Sequence, residues 1–128
     1  MTGGRPTLAI AGVVLALGAG GCRSGTDVAG YVVHAGGDPT HGREVIAERH
    51  CGVCHQIPAV VGAHGVVGHS LAGFARRSFI AGGVPNTVAN AVTWIRSPLK
   101  MDPRTAMPAL GIDETDARDV VAYLLTLR

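Results

Sequence analysis

The chain of 128 residues is poor in aromatic side chains, at 4% of the sequence, and only 16% of its residues are charged. A small domain with so few large side chains has little with which to fill a core. The formal net charge is only +2, which excludes the strongly basic character of nucleic-acid-binding domains. No run alternates polar and apolar residues over strand length, and an all-α fold is therefore expected.

Cysteine is also scarce, with three in the chain, but two of them lie in the sequence Cys-Gly-Val-Cys-His at positions 51–55. C-x-x-C-H is the attachment sequence for a covalently bound c-type haem. Each thiol adds to one haem vinyl group, and the histidine meets the iron from the same side. Cys51 and Cys54 are therefore the predicted thioether anchors, and His55 is the predicted proximal axial ligand. A zinc site or a redox dithiol is not favoured, because no second ligand pair and no βαβ pattern accompanies the motif.

The first residues have the layout of a signal peptide. Arg5 precedes an uncharged apolar run from Leu8 to Ala19, and two glycines then lead to Cys22. The run is shorter than the about 20 residues of a bilayer span, so a permanent transmembrane helix is the weaker alternative. The small residues before Cys22 resemble a lipoprotein cleavage box, although Ala19 stands where such boxes usually carry leucine. We predict a signal peptide over residues 1–21 and lipidation of Cys22, with ordinary cleavage or an uncleaved anchor as alternatives.

The rest of the chain is expected to form a flexible tether over residues 22–38 and one folded domain over residues 39–128. Its helical patterns predict three helices, from about 40 to 50, from about 87 to 97, and from an N-cap at Asp113 towards the chain end. Pro98 is expected to stop the second helix, which Asn86 or Thr87 would cap. The glycine-rich segment 58–83 is expected to be irregular, with one short helical turn around residues 71–77.

These elements together resemble a class I, single-haem cytochrome c: a helix ending at C-x-x-C-H, a loop-rich middle, a helix bearing Trp94, a Met-Pro loop at Met107 and an amphipathic last helix. The likeness covers about residues 39–128 and implies a small cytochrome c fold, with three to five helices wrapped around one covalent haem. Within the class, several short motifs are similar to the cytochrome c domain fused to subunit II of some bacterial haem-copper oxidases. They are Val67-Gly68, Arg76, Pro85-Asn86-Thr87, Asn90, Trp94-Ile95-Arg96 and Met107-Pro108-Ala109-Leu110.

The resemblance implies that Met107 is the sixth iron ligand. A thioether is a soft, neutral and weak donor, so it favours ferrous iron and raises the reduction potential. Met101 is the rival, but its neighbours Lys100 and Asp102 make its setting more polar. A core-filling role for Met107 stays open, and so does a replacement of the ligand by His64 or His69.

Further haem contacts are implied by the resemblance. Trp94 would donate its indole N–H to a haem propionate, unless it only packs, and Arg76 would pair with a propionate while Arg77 is a solvated neighbour. The family usually has Gly-Pro in the loop facing the proximal histidine, where the proline carbonyl accepts from the imidazole N–H. Here Gly68 is followed by His69. The backbone carbonyl is retained, so the hydrogen bond can persist, but the stiffness of proline is lost.

The function implied is that of a single-electron carrier, not an enzyme, in a bacterial respiratory or other membrane-associated chain. Export and lipidation place it at the periplasmic or outer face of the cell membrane. Its expected partners are membrane redox complexes, a terminal oxidase among the candidates, and no nucleic acid. Two further functions stay open: a haem subunit acting as internal relay of an oxidase or dehydrogenase complex, and an open-site haem sensor or peroxidase.

Overall fold

The structure, a computed structural model, describes residues 1–2 and 35–128. Four α-helices lie in this part of the chain: α1 (Pro39–Glu48), α2 (Val88–Arg96), α3 (Pro98–Met101) and α4 (Glu114–Leu124). Two 3₁₀ turns, Cys51–Val53 and Phe74–Arg76, and a minimal antiparallel hairpin of β1 (Phe79–Ile80) and β2 (Val84–Pro85) complete the elements. The expected all-α class is confirmed. The predicted signal peptide, the lipidation site Cys22 and the tether as far as residue 34 lie outside the described residues.

Helix α1 delivers the chain into the cysteine motif. Asp38 caps it by accepting a hydrogen bond from the Thr40 N–H at 2.8 Å, and Pro39 occupies the first turn, where no N–H is needed. The helix ends at Glu48, two residues before the predicted end, because His50 takes a left-handed conformation with φ 55°. That conformation breaks the helix and turns the backbone into Cys51.

The centre of the fold is the crossing of α1 and α4. Val45 and Ile46 of α1 are buried there. Gly42 lets the two backbones meet, since a Cβ at this position would lie 1.9 Å from the Asp119 carbonyl oxygen. The buried Asp119 carboxylate is satisfied by two groups, the Asp38 N–H at 2.7 Å and His41 Nδ1 at 2.8 Å. No larger residue than glycine fits position 42 without moving a helix.

Helix α4 follows the predicted pattern. Asp113 accepts from the Asp116 N–H at 2.9 Å, which confirms it as the N-cap, and Ala117, Val120 and Val121 are buried. The helix ends at Leu124 rather than continuing to the chain end. None of the helices within residues 35–128 combines the length and apolar character needed to cross a membrane.

Helices α2 and α3 follow each other directly, with Ser97 as the residue between them. Thr87 caps α2 by accepting from the Asn90 N–H at 3.2 Å, and Ala91, Val92 and Ile95 form the buried face. Pro98 ends α2 as predicted, yet it also opens α3, because a proline is readily accepted at the first helical position. Helix α3 was not expected from the sequence.

Candidate cofactor site

A cavity of about 1040 Å³ lies within the described domain. This volume is at the upper limit of the roughly 300–1,000 Å³ of ligand and cofactor sites. Its walls come from the segment after α1, from the loop before the hairpin, from α2 and α4, and from the long loop between α3 and α4. Five of the predicted site residues line it: Cys51, Cys54, His55, Trp94 and Met107.

The two thiols lie on one tight turn at the cavity wall. The His55 N–H donates to the Cys51 carbonyl at 3.0 Å, and the Cys54 N–H donates to the same oxygen at 3.3 Å. Burial raises the pKa of the Cys51 thiol. A redox dithiol depends on a thiolate with a lowered pKa, so this environment disfavours that interpretation.

His55 is held from behind by the next loop. Its Nδ1 lies 2.7 Å from the His69 carbonyl oxygen, so the imidazole carries its proton on Nδ1 and donates it to that carbonyl. The Nε2 lone pair is then the one available to a metal. The predicted hydrogen bond is therefore present, although His69 stands where the family usually has proline.

Gly68 makes this arrangement possible. A Cβ at position 68 would lie 2.3 Å from Cε1 of the His55 ring, closer than any side-chain carbon can approach. The Gly68 N–H donates to the Cys54 carbonyl at 2.8 Å, which fixes the loop against the cysteine turn. Position 68 thus requires glycine because the imidazole lies directly over its backbone.

Met107 enters the cavity from the loop between α3 and α4. Its backbone N–H donates to Thr105 Oγ1 at 3.1 Å, a local contact that was not expected from the sequence, although a threonine two residues earlier is a common turn signal. Met101, the rival ligand, is not among the residues that line the cavity.

The structure places the two adjacent arginines differently. Arg76 is exposed and does not line the cavity, whereas Arg77, taken as a solvated neighbour, is half-buried and does line it. The 3₁₀ turn Phe74–Arg76 sends the two adjacent side chains in different directions, and this cannot be predicted from sequence alone. Trp94 lines the cavity at the edge of α2, as expected.

Of His50, His64 and His69, only His50 and His69 line the cavity. His64 pairs with Gln56 in an isolated β-bridge and does not line the cavity. His69 lines it, but its carbonyl already serves His55 and its side chain is exposed. His50, at the left-handed turn, is an additional lining residue.

The donor set fits a covalently attached haem. Two thiols one turn apart, an imidazole with Nδ1 committed to a carbonyl, and a thioether on another loop share one predominantly apolar cavity. Sequence comparison agrees with this chemistry. The family model described as "Cytochrome c" matches residues 40–128. No curated protein sequence matches the chain.

Proposed function

The chain belongs to the cytochrome c family, and we propose that it carries single electrons through one covalently attached haem c. In this proposal Cys51 and Cys54 are the thioether anchors, and His55 and Met107 are the axial ligands. The observation that carries it is the lining of the cavity, which includes all four of these side chains and not Met101.

The bound haem would supply the redox chemistry, and the protein would hold it and set its potential. His55 would present Nε2 to the iron while its Nδ1–H bond to the His69 carbonyl keeps the ring oriented and more basic. Met107 would contribute a neutral thioether that favours the ferrous state. The mostly apolar walls would keep water away from the iron.

Haem attachment tests the first part of the proposal. We expect haem of the wild-type protein to stay with the polypeptide through acid–acetone extraction, because two thioether bonds hold it. Cys51→Ala or Cys54→Ala should leave one bond, and the double variant none. Haem that still resists extraction from the double variant would refute the assignment of the anchors. His55→Ala should abolish stable incorporation, since ligation and attachment act together.

We propose that redox partners dock on an uncharged patch formed by Val53, Val66 and Val67. These side chains are 71%, 91% and 75% exposed. Backbone hydrogen bonds connect their two segments, from Gly65 N to the Gly52 carbonyl at 3.0 Å and from Gly68 N to the Cys54 carbonyl at 2.8 Å. Val53 and Val67 also line the cavity.

The surroundings of this valine patch indicate the chemistry of its partner. Residues 51–75 contain no Asp, Glu, Lys or Arg. An apolar, uncharged contact of small area suits a transient electron-transfer complex that depends little on ionic strength.

We expect Val66→Asp to slow electron exchange with membranes of the source cell and to make the rate salt-dependent, while Glu48→Gln on the exposed face of α1 changes neither. Equal rates for Val66→Asp and wild type would exclude the patch.

The partners are proposed to be membrane complexes, with a terminal oxidase as the leading candidate from the sequence likeness to oxidase-fused domains.

We propose that lipidated Cys22 holds the protein at the periplasmic or outer face of the membrane. A Cys22→Ser variant should then appear in the soluble envelope fraction or remain uncleaved. Mass spectrometry that finds an unmodified Cys22 thiol in the mature membrane-bound protein would refute lipidation.

A further inference from the structure

Arg77 is joined to the loop that faces His55. Its Nη2 donates hydrogen bonds to two carbonyl oxygens of that loop, those of Ser70 and, at 3.2 Å, of Ala72. The guanidinium carbon also lies 5.8 Å from the centre of the Phe74 ring, within reach of a cation–π contact. A single side chain thus bridges two carbonyls and packs on an aromatic face.

The bridged loop contains the carbonyl that orients His55. His69 O accepts from His55 Nδ1 at 2.7 Å, and the next carbonyl along the chain, that of Ser70, is the one bound by Arg77. On either side, Gly68 N donates to Cys54 O and Leu71 N to Gln56 O, each at 2.8 Å. Within residues 35–128 no hydrogen bond is made by the N–H of His69 itself, so its peptide depends on these neighbours for its orientation.

We propose that Arg77 is a positioning residue for the proximal ligand: by fixing the Ser70 and Ala72 carbonyls it keeps the His69 carbonyl in line with His55 Nδ1. Arginine would thereby supply the stiffness that position 69 lacks, since histidine leaves φ free where a proline ring would restrict it. This inference rests on the proposed ligation of iron by His55.

The arginine is itself held in place. Asn86 Nδ2 donates to the Arg77 carbonyl at 3.1 Å and to the Phe74 carbonyl at 3.0 Å, so the backbone on which the guanidinium stands is anchored to the segment after β2. Both hydrogen bonds come from Nη2, which the rigid guanidinium plane holds in a fixed direction. Lysine could keep the positive charge at position 77, but its ammonium is a point charge on a flexible stem and is not pre-organised to bind these two carbonyls. Arg77→Lys therefore separates the hydrogen-bonding role from the charge.

The experiment compares full-length, haem-loaded wild type, Arg77→Lys and Arg76→Lys. In the ferrous state, NMR follows exchange of the His55 Nδ1 proton with solvent. We expect exchange to be roughly tenfold faster in Arg77→Lys, the factor that corresponds to losing one charged hydrogen bond. The reduction potential should rise, since a weaker bond to the His69 carbonyl makes the imidazole less basic. Arg76→Lys should change neither quantity, because Arg76 is exposed and outside the cavity.

His69→Pro provides the rescue. The His69 N–H has no partner to lose within the described chain, and its φ is not positive. Adding His69→Pro to Arg77→Lys should return both the exchange rate and the potential to near wild type. The inference is overturned if proton exchange is unchanged in Arg77→Lys, or if His69→Pro does not rescue it. It is also overturned if Arg77→Lys fails to load haem both with His69 and with Pro at that position. If no variant, wild type included, shows a haem-shifted His55 proton, the ligation itself is wrong.

Discussion

His41 and Asp119 form an ion pair across the crossing of α1 and α4, with Nδ1 2.8 Å from Oδ2. The other carboxylate oxygen of Asp119 accepts from the Asp38 N–H. The hydrogen bond to Asp119 is the main cause of a raised pKa for His41, opposed by some desolvation and supported by the charges of Asp119, Asp116 and Glu44. The pair therefore makes the central helix contact sensitive to pH.

The stability of the protein should contain a His41 component that is lost as pH rises. Because the pKa of His41 is higher in the folded state than its ordinary value of 6.5, the pair stabilises fully below that value and loses its effect as pH passes through the folded pKa. In denaturant unfolding, haem-loaded wild type and His41→Gln should differ most below pH 6.5, and the difference should shrink as pH rises through the raised pKa of His41. A difference that is constant across this range would contradict the assignment.

Gly42→Ala should destabilise the fold severely. Its Cβ would lie 1.9 Å from the Asp119 carbonyl oxygen, so α1 and α4 must separate. We expect a loss of about 3 kcal/mol or more in the free energy of unfolding, at the upper end of overpacking costs. Glu48→Ala, on the exposed side of the same helix, is the control and should stay within about 0.5 kcal/mol of wild type.

Gly68→Ala should disturb the position of the His55 ring more than it disturbs the rest of the domain. The added methyl would lie 2.3 Å from the imidazole Cε1, so the ring must leave the His69 carbonyl or the loop must leave the cysteine turn. We expect reduced haem incorporation, measured by the ratio of haem to protein absorbance. Gly62→Asn is the control, since position 62 has φ 76° with open space around it, and asparagine tolerates that conformation. Equal haem loading of both variants would show that the loop yields freely.

Met107→Ala should open the sixth coordination position. Ferrous protein should then bind carbon monoxide, and the reduction potential should fall because the thioether that favours ferrous iron is lost. Met101→Ala should have neither effect, since Met101 does not line the cavity. If the unmodified protein binds carbon monoxide, an open-site haem sensor or peroxidase is favoured. If Met107→Ala keeps the far-red sulfur-to-iron charge-transfer band, the sixth ligand is a different residue.

The sequence was most informative for features that depend on local signals or on backbone groups that every residue carries. Helix α4 was predicted with its N-cap because Asp113 precedes a run of apolar residues at helical spacing, and both features are local. The His55–His69 hydrogen bond was expected because a backbone carbonyl exists whatever the residue.

Prediction failed where direction or length depends on tertiary packing. Pro98 was taken only as a stop, although proline serves equally well as the first residue of a short helix such as α3. Two-residue strands such as Phe79–Ile80 are too short to show any periodicity. Which of Arg76 and Arg77 lines the cavity depends on the twist of one 3₁₀ turn, which single-residue preferences do not determine.

The crossing of α1 and α4 also fixes an order of events in folding. His41 and Asp119 are 78 residues apart, and the Tyr123 hydroxyl bonds the Pro58 carbonyl across 65 residues. Contacts of such long range form late, after the cost of closing the loop has been met. Val45 and Ile46 therefore have no partner surface until α4 has been synthesised, and the thiols that follow them emerge on an open chain. Until α1 and α4 meet, no packed core stands behind the turn that carries the two thiols.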